Sequence, residues 1–173
     1  MSAGLKLPHL PDNLGTASLA DLHFVISQTF AAYTNALDDD ELERWPDFFV
    51  DETIYKVIPR ENYDNNLPLA VMYCANRRMM LDRVAHIRET AMFAPRRHRH
   101  VSGDIRITGI DGNTVGVNSN YAVFETTRDV KTQVFNVGRY IDQMVVVDGG
   151  LKFRQRYCVF DSSLIPTSLI YPV

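Results

Sequence analysis

Cysteine is scarce: the 173 residues hold two, Cys74 and Cys158. They stand far apart, no C-x-x-C spacing occurs, and both have apolar neighbours. That excludes a disulfide scaffold and a short-spaced metal site, and suits buried reduced thiols in a cytosolic chain. No apolar run approaches the roughly 20 residues that span a membrane. Met1 to Pro11 lacks the apolar stretch of a secretory signal. Charge of one sign is missing too. With 18 Lys and Arg against 21 Asp and Glu, the net charge is −3, which gives no general attraction to nucleic acid or to a membrane. Gly-x-Ser-x-Gly, Gly-x-x-x-x-Gly-Lys and Gly-x-Gly-x-x-Gly are absent, so no nucleophile elbow, phosphate loop or dinucleotide fingerprint is present.

What remains is globular: 46 % apolar and 23 % charged residues. A chain of this length buries ~70 % of its surface on folding, enough for one domain with its own core. Residues 1–17, with Gly4, Pro8, Pro11 and Gly15, read as an arm outside the core, free or laid on a partner. Residues 18–173 read as a single domain.

Ser18 caps a helix whose face carries Leu19, Leu22, Ile26, Phe30, Tyr33 and Leu37, at helical spacing. Asp38-Asp39-Asp40 ends it and suits a solvated turn or the start of a second helix. Leu42, Trp45, Phe48 and Phe49 share a short helical face that Pro46 limits. Residues 53–58 form a strand, 60–67 a polar loop, and 69–90 a third helix with Met80, Val84, Ile87 and Ala91 inward and Pro95 as its stop. Period two then takes over. Strands run over 98–110, 114–127, 131–147 and 151–160, with Asp111-Gly112 and Asp148-Gly149-Gly150 as turns and Gly138 as a bend or bulge. Val101, Gly103, Ile105 and Ile107 alternate on the first of these. The apolar tail from Asp161 to Val173 is expected to dock. Helices first and an antiparallel meander after them indicate an α+β fold, a half-open cone of curved strands on a small helical layer.

Several clusters bear on chemistry. His98-Arg99-His100 puts two imidazoles on one strand face, with Asp104 further along. This is either part of a metal site or a basic stretch, with Arg96 and Arg97, that makes salt bridges. Tyr33 and Asp38, with His100, Asn120 and Tyr121, would line the mouth of a cone and support acid–base chemistry. Cys158, within a strand, is expected to be inert. Arg60-Glu61-Asn62-Tyr63 mixes the residue types favoured at interface hot spots.

Read together, Trp45-Pro46-Asp47-Phe48-Phe49, the run Asp51 to Asn62, Asp82-Arg83-Val84, Arg99 to Gly103, Phe135 to Asp142 and Leu151 to Arg156 are familiar. In order and spacing they resemble the small (beta) subunit of Rieske-type aromatic-ring-hydroxylating dioxygenases, from residue 18 to the end. Pro46 and the Pro-containing arm depart from that pattern. The resemblance implies a cone of the nuclear transport factor 2 type (an NTF2-like fold), with N-terminal helices on a curved, mostly antiparallel sheet. It implies a cytoplasmic hexamer of three large (alpha) and three small subunits in aromatic hydrocarbon catabolism, the small ones associating as a trimer. The large subunit is expected to carry a Rieske 2Fe–2S cluster and a mononuclear Fe(II). This chain is expected to hold no cofactor, metal or catalytic residue, and to bind neither nucleic acid nor membrane. Arg60, Glu61, Tyr63, Arg97, Arg99 and Arg139 are the expected subunit contacts. The competing readings are a free-standing cone-fold isomerase or dehydratase and a small-molecule binding protein.

Overall fold

The computed structural model describes residues 6–89, 95–127, 131–162, 165 and 169–173. A 3-10 turn at Leu14–Thr16 leads into α1 (Leu19–Asp38) and a second 3-10 segment at Leu42–Phe48. Then follow β1 (Phe49–Pro59), α2 (Arg60–Asp64), β2 (Met72–Cys74) and α3 (Arg77–Glu89). The rest is β3 (Arg96–Asp111), β4 (Thr114–Thr127), β5 (Gln133–Val147) and β6 (Gly150–Phe160). The sheet order is β2-β1-β6-β5-β4-β3. Among the described residues only β1 and β6 run parallel; the other neighbours are antiparallel. This is the expected α+β cone. Among the described residues no helix is long and apolar enough to cross a membrane.

Ser18 caps α1 as expected, its hydroxyl accepting from the Asp21 N–H. Leu19 is exposed, so the buried face begins at Leu22 and runs through Ile26, Phe30, Tyr33 and Leu37. The rings of Phe30, Tyr33, Phe49 and Phe153 meet at 5.2–6.1 Å and join helix to sheet.

Several sequence expectations need correction. The third helix starts at Arg77; residues 72–74 are instead the edge strand β2. The apolar pair Val71 and Met72 fits a strand face as well as a helix, and Asn76, whose side chain accepts from the Met79 N–H, starts the helix. Ala91 lies outside the described residues. Arg60–Asp64 is a short helix within the expected loop. The acidic run does not form one solvated turn: Asp38 is buried and Asp40 is paired with Arg88 at 2.9 Å. Of the segment read as an arm, Leu10 and Leu14 are buried, and their N–H groups donate to Gly149 and Gly112 in the two hairpin turns. Val101 faces outward although Ile105 and Ile107 pack inward. A register shift between Gly103 and Arg106, with Asp104 at φ 54°, switches the faces of β3 there.

Gly138 is not a bulge in the ladder. Its pairing with Tyr121 and Phe160 is unbroken, and the shifts in β5 pairing lie at Val123/Phe124 and Gln143/Met144. Its role is close approach: a Cβ there would stand 2.1 Å from the Val159 carbonyl oxygen. Gly138→Ala is therefore expected to cost about 1–3 kcal/mol or more, as overpacking does. Gly103→Ala, with nothing within 4 Å, should stay within about 0.5 kcal/mol. Urea denaturation of both variants checks this.

Candidate functional site

The cone interior is organised by one charge. Arg156 is fully buried, and its Nε and Nη2 donate to Asp142 at 3.0 and 2.8 Å. The guanidinium lies 4.0–4.6 Å from the ring centroids of Phe30, Tyr33, Tyr140 and Phe153. It therefore sits in an aromatic box with one bidentate carboxylate, where ring quadrupoles attract a desolvated cation. Burial pushes the Asp142 carboxyl up from its ordinary range, and Arg156 pulls it part of the way back. The sequence reading missed both residues. Asp142 lies in step with Tyr140 and Met144 on the inner face, so a lone carboxylate at an inward position was a usable signal. Arg156 was hidden, because a one-residue shift after Phe153 turns it inward.

Residues 169–173 dock on the domain, as the apolar composition of the tail suggested. The Val173 carbonyl oxygen accepts from Tyr33 Oη at 2.9 Å and Tyr55 Oη at 3.1 Å, while the Val173 N–H donates to Tyr55 Oη at 2.8 Å. Leu169 and Val173 are buried, and Arg83 donates to the Leu169 carbonyl at 3.1 Å. Burial pushes the Tyr33 and Tyr55 hydroxyls up and holds them protonated.

Asp38 and His100 do meet. Asp38 Oδ1 lies 2.6 Å from His100 Nδ1, and both carboxylate oxygens accept from the His100 N–H, at 3.1 and 3.0 Å. Asp38 thus pins the start of β3 to the end of α1. His100 Nε2 is buried without a partner among the described residues. Beside the pair opens a cleft of about 960 Å³, lined by Asp38, Asp40, Arg96, His98 and Tyr171 among others. Glu125, buried, holds Arg96 at 3.0 Å and His98 at 3.3 Å. Burial pulls His98 below its ordinary range, and Glu125 offsets this in part. The other residues expected at the mouth part company. Tyr121 is internal and donates to Asn136 at 2.5 Å, whereas Asn120 faces out and donates to Asp104. Neighbours on a strand face opposite ways, so the two cannot line one wall.

The described residues offer no set of ligands for an iron group. Among the described residues no three or more His, Cys, Asp or Glu gather to hold a metal ion. Burial pushes the Cys74 thiol up to about 11 and the Cys158 thiol to about 12, away from the thiolate form that binds metal.

The outer face differs. Lys56 on β1 lies 5.3 and 5.2 Å from the rings of Tyr73 and Tyr157. Tyr63 of α2 meets Tyr157 edge-on at 6.3 Å, and Arg139 covers Tyr63 at 5.8 Å. Arg139 reaches Asp64 at 3.6 Å and Arg60 pairs with Asp161 at 2.7 Å. Arg60, Tyr63 and Arg139 are thus brought together, with exposed Glu61 on the same short helix. Arg97 and Arg99 stand apart, exposed on β3, with Arg99 3.5 Å from Asp38.

Removing one partner of the buried pair leaves a charge without its counter-ion. Arg156→Met is expected to cost about 3–5 kcal/mol, and Arg156→Met with Asp142→Leu to recover most of that loss. Thermal and urea unfolding of the single and double variants checks the difference.

Four likenesses bear on kinship. A scytalone dehydratase assignment from Novosphingobium aromaticivorans shares the fold, with TM-score 0.62 at 19 % identity over 87 % of this chain and 89 % of that one. A structure from the same organism, assigned as the beta subunit of an aromatic-ring-hydroxylating dioxygenase, aligns with TM-score 0.81 at 39 % identity. It covers 89 % of this chain and 98 % of its own. The small subunit of anthranilate 1,2-dioxygenase from Burkholderia cepacia is 32 % identical over 82 % of this chain and 88 % of its own. The family model for the ring hydroxylating beta subunit matches residues 33–167. With cone, motif order and matched span in agreement, the chain belongs to the ring-hydroxylating beta subunit family.

Proposed function

We propose that the chain is the structural, non-catalytic small subunit of a cytoplasmic ring-hydroxylating oxygenase. It pairs with a large subunit and stabilises a hexamer of three large and three small subunits. The observation that carries this reading is the set of groups at the centre of the cone. Where a cone-fold enzyme needs an open pocket, this cone holds the Arg156–Asp142 pair, its four rings and the Val173 tail. The Rieske cluster and the mononuclear iron, which supply electron delivery and oxygen activation, belong in this reading to the large subunit. The small chain contributes surface. Lys56, Arg60, Tyr63, Tyr73, Arg139 and Tyr157 form a mixed tyrosine and cation patch of hot-spot composition, suited to the large subunit. Binding there stabilises the folded small chain by mass action.

A second reading has one observation in its favour: the buried Asp38–His100 pair, with its unpartnered Nε2, beside the cleft. It would make the chain an acid–base enzyme. Co-expression with the large subunit separates the two. Tyr63→Ala with Arg139→Ala should weaken capture of the large subunit at least about tenfold, the scale of losing one hot spot. His100→Gln should leave turnover per assembled complex unchanged. Turnover lost with assembly intact would favour the acid–base reading.

A further inference from the structure

His98 and His100 stand two residues apart on the inward face of β3, and each donates a ring N–H to a buried carboxylate of another element. His98 Nε2 lies 3.3 Å from Glu125 Oε2 on β4, and His100 Nδ1 lies 2.6 Å from Asp38 Oδ1 at the end of α1. Glu125 ties β3 to the strand it pairs with. Asp38 ties it to the helical layer and also accepts the His100 N–H. β3 lies at an edge of the sheet, with a strand neighbour on one side. Its first residues therefore have fewer backbone anchors than a central strand, and local opening is easiest where anchors are few.

The docked tail rests on the same clasp. The His98 ring lies 5.4 Å from the Phe135 ring and meets Tyr171 edge-on, also at 5.4 Å. Tyr171, His98 and Asp38 line the cleft together. One imidazole thus touches groups of β4, β5 and the tail.

Charge here is balanced while both imidazoles are neutral. The Glu125 carboxylate faces Arg96 at 3.0 Å, and Asp38 faces Arg99 at 3.5 Å. From α1 and α3, Asp40 and Arg88 pair with each other at 2.9 Å. Exposed Asp39 and Arg97 stand at the rim of the cleft with opposite signs. Gln133 of β5 offers Glu125 a neutral amide, and burial keeps the Tyr171 hydroxyl protonated. A proton added to His98 leaves one positive charge unbalanced at a side chain of a residue that is 9 % exposed. Burial opposes that proton most, and Glu125 offsets burial only in part because it already serves Arg96.

We propose that the His98–Glu125 and His100–Asp38 pairs form an acid-sensitive latch at the start of β3. At neutral pH the latch holds residues 96–101 and the Tyr171 segment down. In mildly acidic solution a proton on His98 frees both and widens the cleft, while the Arg156 core stays folded. The sign follows from linkage. Burial lowers the His98 pKa in the closed form, so the open form binds the proton better. The stability of the latch is fully present above the ordinary histidine value of about 6.5. It is lost as pH falls from there toward the lowered value. The latch is a property of the small chain alone and does not depend on the assembly role.

Hydrogen exchange on the full small chain at about pH 7.5 and about pH 5.5, on either side of the ordinary histidine value and corrected for intrinsic rates, tests this. Protection of residues 97–101 should fall about three- to tenfold, since one proton shifts an opening equilibrium by at most about tenfold per pH unit. The strands around Arg156 should keep their protection. In His98→Gln the amide still donates to Glu125 but takes no proton, so residues 97–101 should show no such dependence. His98→Phe, which keeps the ring contacts to Phe135 and Tyr171, gives the same flat profile and serves where His98→Gln does not fold. Unchanged protection of residues 97–101 in the unmodified chain overturns the proposal. A pH dependence that survives in His98→Gln also overturns it, as does a parallel loss in β5 and β6, which is acid unfolding of the whole domain. Capture of the large subunit is read separately at neutral pH, so the function proposed above stands or falls on its own.

Discussion

A guanidinium in the centre of a small domain constrains everything near it. Arg156 is desolvated, so it needs its carboxylate, and Asp142 supplies both oxygens. It also needs electron-rich neighbours, and four rings from α1, β5 and β6 provide them. Those same rings join the helix to the sheet. One ion pair therefore ties the register of β5 and β6 to the seating of α1, and any shift of either would bury a charge without its partner.

The consequence for function is spatial. Cone folds are hollow, and chemistry in them needs access to the hollow. Here the interior is used for packing: ion pair and rings in the middle, the Val173 backbone bonded to Tyr33 and Tyr55 at one end. Asp38 and His100 keep β3 against α1 through three hydrogen bonds. Polar variety is displaced to the outside, where tyrosines, arginines and exposed valines stand on rigid strands.

Much of the fold was legible in the sequence. The 114–127 strand has the predicted limits because a strict period of two buries Val115, Val117, Ser119, Tyr121 and Val123 between clear turn signals. Gly138 was read as a bend or bulge; its actual role is close approach to Val159, which is distant in sequence and is brought near by the sheet. Register shifts were the main obstacle. The shift at Gly103–Arg106 put Val101 outside, and the one after Phe153 put Arg156 inside; neither leaves a mark in hydrophobic alternation. The pairing of Asp38 with His100 was within reach, since the two residue types were singled out together. The burial of Asp38 was not, because three adjacent carboxylates read as solvent-facing. Of the expected surface contacts, Arg60, Tyr63 and Arg139 converge, although separated by up to 79 positions in the chain, because α2 folds back over β5 and β6.

The proposed assembly role makes different demands on backbone protection in the core and at the surface. The most direct measurement is hydrogen exchange on the small chain, alone and in complex with the large subunit. Slowed exchange in α2, the 67–73 segment and the outer strands, with the β5–β6 core already protected in the lone chain, is the predicted result. Fast exchange around Arg156 and Tyr140 in the lone chain, slowed by a small aromatic ligand and not by the large subunit, would contradict it.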